Sequence, residues 1–203
     1  TMLTALFAIF GAIEGLWRHC HREGENWLVD TALSVWGMIY CGLLFAHVIL
    51  LRTFDGGPHI DLGFRVFEYG EICLWVVLLG TWASDTFAYF TGSAFGRHKL
   101  CPSISPNKTI EGFLGSVVGT TASVAGLGIF FSLPVKEMAL LGLAISILAK
   151  LGDLVESVAK RYTGIKDSGN IIPGHGGIWD RFDSVLFTAP LLYYFVKFAG
   201  LAM

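Results

Sequence analysis

The chain has 203 residues, of which 54% are hydrophobic and 15% charged, with a formal net charge of −2 at pH 7 and a mean hydropathy of +0.62. Those shares exclude an ordinary soluble domain and fit a chain built for a bilayer. The near-neutral charge gives no ground for expecting nucleic acid as a partner, and Cys20, Cys41, Cys73 and Cys101 form neither a C-x-x-C pair nor a disulfide-like framework.

Six apolar stretches approach the roughly 20 residues needed to cross a bilayer as a helix. They are Thr1–Trp17, Trp27–Leu51, Ile72–Tyr89, Phe113–Leu133, Met138–Val158 and Val185–Met203. The expected fold is all-α, a polytopic transmembrane helix bundle of about six spans with polar active-site loops on the cytoplasmic side. The whole chain, 1–203, reads as a single integral membrane domain. Its opening in apolar sequence at Thr1 leads to the expectation that further residues precede it in a longer protein.

Loop charge gives the orientation. The odd-numbered loops carry Arg18, Arg22, Arg97, Lys99, Lys108, Lys160, Arg161, Lys166 and Arg181, whereas the even ones carry only Arg52, Arg65 and Lys136. The positive-inside rule therefore places the odd loops in the cytoplasm. His19-Cys20-His21, in the first of them, lacks partners at metal-ligand spacing and reads as solvated.

The third span ends in Ser84-Asp85-Thr86, where a lone carboxylate could serve function or cap a helix. Then comes Ser105-Pro106-Asn107-Lys108-Thr109, read as a Pro-Asn turn with a lysine, hydroxyls and backbone N–H groups at a helix start. Those groups suit a phosphate, or equally an anionic headgroup at the membrane surface. Gly112, Gly115 and Gly119 then line one helix face, a pattern that lets two backbones approach closely in lipid.

On the fifth span Ser146, Lys150, Asp153, Ser157 and Lys160 form a polar stripe at alternating steps of four and three. Ionisable groups in a span are costly and mark working sites. The bland alternative is a structural Lys150–Asp153 ion pair at i,i+3. The next loop holds Lys166-Asp167-Ser168-Gly169, Pro173-Gly174-His175-Gly176-Gly177 and Asp180-Arg181-Phe182-Asp183. Asp153 with Glu156, and Asp180 with Asp183, are i,i+3 pairs on two helices. Such carboxylates ringed by Lys and Arg suit a magnesium-nucleotide site. For His175 the roles of general base, phosphate donor and turn residue all stay open.

In order and spacing these motifs, from Ser84-Asp85-Thr86 through Ser105-Pro106-Asn107-Lys108-Thr109 and Gly152-Asp153 to Asp180-Arg181-Phe182-Asp183, resemble the phosphatidate cytidylyltransferase (CDP-diacylglycerol synthase) family. The resemblance covers roughly 81–190. It implies transfer of CMP from CTP to phosphatidic acid, giving CDP-diacylglycerol and pyrophosphate, in the bacterial inner (plasma) membrane with the active site facing the cytoplasm. It makes residues 72–203 the catalytic core and 1–71 the N-terminal spans of a longer array. The catalytic set it implies is Asp153, Asp180, Lys160, Arg161 and His175. Ser105, Asn107, Lys108, Thr109, Lys166, Asp167 and Arg181 would bind nucleotide and phosphates. Asp153 and Asp180, with Asp85, Glu156 and Asp183, would hold one or two Mg2+ ions, with K+ as a further cation. A homodimer is compatible with it. The alternatives are a CTP-dependent enzyme acting on another lipid, such as an archaeol-type phosphatidate or a polyprenol, an ion or proton transporter working through Asp153, Lys150 and Asp85, and an inactive structural partner.

Overall fold

The computed structural model describes residues 2–21, 27–165, 168–169, 177 and 179–199. The chain divides into two compact units, 1–47 and 48–203. In the first, α1 (Met2–His21) packs on α2 (Trp27–Gly37), which continues through a π-helical turn, Met38–Leu44. Gly11 and Gly15 of α1 lie against Val35 and Thr31 of α2. Ser34 donates a hydrogen bond of 3.0 Å to the Glu14 carboxylate.

The second unit opens with the end of α3 (Phe45–Arg52) and is built on α4 (Tyr69–Phe95), α5 (Ile110–Phe130), α6 (Val135–Tyr162) and α7 (Trp179–Ala199). Among the described residues, four helical stretches are long and apolar enough to cross a membrane: Leu28–Arg52, Tyr69–Phe95, Ile110–Phe130 and Val135–Tyr162. The protein is thus an all-α polytopic membrane protein. The first and sixth expected spans are helices, α1 and α7, but fall outside those four.

α5 and α7 run antiparallel to α4 and α6, and small residues set the spacing. A Cβ on Gly112 would lie 2.8 Å from the Ala88 carbonyl oxygen and 3.2 Å from the Cα of Gly92. On Gly152 it would lie 2.7 Å from the Asp183 carbonyl oxygen. The glycine face read from the sequence therefore packs α5 onto α4, and Gly152 brings α6 against the start of α7.

The buried positions change character along this bundle. At one end α4 buries Ile72, Val76 and Val77, α6 buries Met138, Leu141 and Ile145, and α7 buries Leu192 and Val196. Toward the other end the same helices bury Thr81 and Ser84, then Ser146, Lys150 and Glu156, then Asp183, Ser184 and Thr188.

A short antiparallel hairpin closes each end. β1 (Ile60–Asp61) pairs with β2 (Val66–Phe67) at the apolar end, where Phe67 meets Phe131 edge to face. β3 (Lys99–Cys101) pairs with β4 (Ser105–Thr109) at the polar end. This second hairpin corrects the expected Pro-Asn turn, because Pro106 and Asn107 lie within β4 and the reversal falls at residues 102–104. Lys99 faces Thr109 and Cys101 faces Ser105, so Pro106, Asn107 and Lys108 bulge opposite Leu100. Proline cannot donate to a ladder and is tolerated at such a bulge. Thr109 then starts α5, its hydroxyl accepting the Gly112 N–H at 3.1 Å.

Candidate active site

The polar stripe of α6 is real, and its partners come from three other elements. Carboxylate oxygens of Asp153 and Glu156 on α6 and Asp183 on α7 all lie within 4.8 Å of one another. Glu156 is 1% exposed and Asp183 9%. Lysines surround this trio. The Lys108 ammonium, delivered by the β4 bulge, lies 2.7 Å from Asp153. Lys160, one turn after Glu156, bridges Glu156 at 2.8 Å and Asp180 at 2.7 Å.

Lys150 does not pair with Asp153. Its ammonium reaches across to Asp85 on α4, 2.7 Å away, so the alternative of a local i,i+3 pair gives way to a tie between two helices. Lys150 lies twelve residues before the end of α6, a depth of about 18 Å along the helix.

Asp180 and Asp183 are separated by their surroundings although both lie at the start of α7. Burial opposes charge on Asp180, but it is outweighed by the Lys160 ammonium, the Ser168 hydroxyl at 2.7 Å and the N–H groups of Gly177 and Ser168 at 2.7 and 2.9 Å. The Asp180 carboxyl is therefore held well below the usual carboxylate range. Burial pushes the Asp183 carboxyl up to about 7, and the neighbouring charges of Asp153 and Glu156 add to this. Among the described residues no lysine or arginine pairs with Asp183.

This donor set fits a hard divalent cation. Three carboxylates converge, and the buried Oε1 of Glu156 has no hydrogen-bond partner among the described residues. Like charges held this close favour either a proton or a cation among them. Asp85 and Asp180, also expected as metal ligands, stand outside the trio with lysine partners of their own.

Beside the trio opens a cavity of about 460 Å³ lined by Tyr89, Gly92 and Ser93 of α4, Ser105, Asn107 and Lys108 of β4, Thr109, Phe113 of α5, and Lys150. Four residues expected to bind nucleotide or phosphate, Ser105, Asn107, Lys108 and Thr109, therefore share one cavity. Arg161 is exposed and ties α6 to the hairpin through a 3.3 Å hydrogen bond from its Nε to the Ile104 carbonyl. Arg181 is exposed on the first turn of α7. Lys166, Asp167 and His175 lie outside the described residues.

The sequence reading missed Glu111. Its carboxylate accepts the N–H groups of Arg97 and His98 at 3.1 and 3.2 Å, and His98 Nδ1 lies 2.6 Å from it. A carboxylate in the first turn of a helix was the available signal.

Fold and site define an integral membrane protein with a recessed acidic centre, rimmed by lysines and opening beside a polar cavity. The chain belongs to the cytidylyltransferase family, whose model matches residues 1–199. It is 42% identical to the phosphatidate cytidylyltransferase of Bacillus subtilis (strain 168) over 158 residues, covering 77% of this chain and 54% of that protein. It is 44% identical to the phosphatidate cytidylyltransferase of Synechocystis sp. over 186 residues, 83% of this chain and 63% of the other. For that of Staphylococcus haemolyticus the figures are 42% over 166 residues, 81% and 58%. The chain thus spans between half and two thirds of the length of these relatives.

Proposed function

We propose that this chain carries the catalytic centre of a phosphatidate cytidylyltransferase, transferring CMP from CTP to phosphatidic acid to give CDP-diacylglycerol and pyrophosphate. The observation that carries the reading is the convergence of Asp153, Glu156 and Asp183 beside a cavity walled by Ser105, Asn107, Lys108 and Thr109. All of these lie in the 48–203 unit, in keeping with a catalytic core over 72–203. The names of the relatives supply the substrate class.

Asp153, Glu156 and Asp183 would hold Mg2+, which when bound neutralises charge on the phosphates and the departing pyrophosphate. The rest falls to side chains of the chain itself. Lys108 and Lys150 line the cavity from two sides and would meet the triphosphate there as positive charge. Ser105 and Asn107 offer hydrogen bonds to the nucleotide. Lys160 holds Glu156 and Asp180 in fixed register, which keeps the start of α7 on α6. An oxygen of the lipid phosphate attacks the α-phosphorus, and the bond to the β-phosphate breaks with its electron pair leaving on pyrophosphate. A phosphate monoester is already anionic at neutral pH, so no strong base is needed. Positioning and fixed charge then provide most of the rate. The excess of Lys and Arg on the odd loops supports a cytoplasm-facing site in a bacterial inner membrane.

Purified protein with phosphatidic acid, Mg2+ and radiolabelled CTP tests this. The label is expected in the lipid extract with matching pyrophosphate, lost on chelation. Pyrophosphate release with a different lipid only, across a panel of acceptors, would replace the acceptor, and no transfer to any lipid would overturn the reading.

A further inference from the structure

Lys108 and Asn107 owe their position to a bulge with no interstrand pair of its own, so what fixes the two ends of that bulge decides where they point. At the tip, Cys101 pairs with Ser105 and the Ile104 carbonyl accepts from Arg161. At the base, His98 is held through both its N–H and its carbonyl. The His98 N–H donates to Glu111 at 3.2 Å, while the His98 carbonyl accepts the Ile110 N–H at 2.9 Å. The Arg97 N–H donates to the same carboxylate at 3.1 Å, and His98 Nδ1 closes on it at 2.6 Å. Glu111, one residue beyond Ile110, thereby closes a ring in which β3 enters and β4 leaves over the first turn of α5.

We infer that Glu111 is a positioning residue for the proposed reaction: it clamps the base of the β3–β4 hairpin and so aims Lys108 at Asp153 and Asn107 into the nucleotide cavity. The inference rests on the proposed function for its consequence and on the hydrogen bonds alone for the clamp. Glu111 belongs to neither the carboxylate trio nor the cavity lining. The hairpin also lies outside the buried apolar core of the bundle. Losing the clamp therefore loosens the cavity wall without unfolding the helices. The role asked of the side chain is acceptance of backbone N–H groups, which an amide oxygen also performs.

The experiment compares Glu111→Ala, Glu111→Gln, Lys108→Met and the Glu111→Ala/Lys108→Met double variant. For Glu111→Ala, KM for CTP is expected to rise about tenfold or more with a smaller change in kcat, and Tm to stay within about 2 °C. Glu111→Gln is expected within about threefold of wild type. The double variant is expected to lose clearly less than the sum of the two single losses, because Glu111 acts in part through Lys108. Hydrogen exchange gives a readout free of turnover. Glu111→Ala should speed exchange over residues 99–109 while the interiors of α4 and α6 stay protected.

The inference is overturned by an unchanged KM in Glu111→Ala, by fully additive losses in the double variant, or by Glu111→Gln as impaired as Glu111→Ala. Unchanged exchange over 99–109 overturns the clamp itself. A wild-type protein that transfers nothing from CTP while Glu111→Ala still loosens the hairpin would remove the nucleotide reading and keep the clamp.

Discussion

The two ends of the α4–α7 bundle are built from similar parts, a pair of helix ends closed by a two-stranded hairpin, and they treat charge in opposite ways. At the β1–β2 end the ion pairs lie at the surface. Arg52 and Glu68, with side chains 49% and 57% exposed, pair above an interior of Ile72, Val76, Leu141 and Leu192. At the β3–β4 end His98 and Glu111 pair near the surface, but other pairs go inside, the side chains of Lys150, Glu156 and Lys160 being 9%, 2% and 14% exposed. Surface pairs contribute little to stability, whereas a buried pair is costly to assemble and more costly to break. Stability alone does not call for charge in a bilayer interior, so the polar end is where binding or chemistry is to be sought.

The largest expected effects fall on the carboxylate trio. Asp153→Asn and Asp183→Asn are each expected to lower CMP transfer on the order of 100-fold, since a cation ligand supplies several kcal/mol of charge stabilisation. Unfolding in detergent, followed by intrinsic fluorescence, should show both variants folded.

Next in size is the tie between α4 and α6. Asp85→Ala leaves a largely buried ammonium without its partner and is expected to cost about 2 kcal/mol, less than for a fully buried pair because Asp85 is half exposed. Lys150→Met leaves a carboxylate that is 54% exposed and is expected to cost less. Thermal unfolding of the two variants side by side checks the order. Gly152→Ala should follow, because the added Cβ meets the Asp183 carbonyl at 2.7 Å. About 1–3 kcal/mol of overpacking is expected, together with reduced transfer as α7 shifts. The smallest effect belongs to the other end, where Arg52→Ala should leave transfer unchanged in the same assay.

How much of this was legible in the sequence varies with the range of the interaction involved. Spans were readable because apolar content over about 20 residues is a local property. The stripe from Ser146 to Lys160 followed from helical spacing alone. Its pairing did not, because Asp85 is 65 residues from Lys150 and the nearest local partner, Asp153, is claimed by Lys108. The β3–β4 hairpin was hidden because Ser105–Thr109 has the composition of a turn, and only the pairing with Lys99–Cys101 makes it a strand. Asp180 and Asp183 looked equivalent at i,i+3. Their difference depends on which neighbours reach each of them, Ser168 and Gly177 for one and the α6 carboxylates for the other.

The most direct test of the central claim, that Asp153, Glu156 and Asp183 form a cation site serving a nucleotide, is a Mn2+ titration of purified protein followed by electron paramagnetic resonance. Saturable Mn2+ binding is expected for the wild type, strengthened by CTP and lost in both Asp153→Asn and Asp183→Asn. Absence of saturable binding in the wild type, or binding that survives both substitutions, would contradict it.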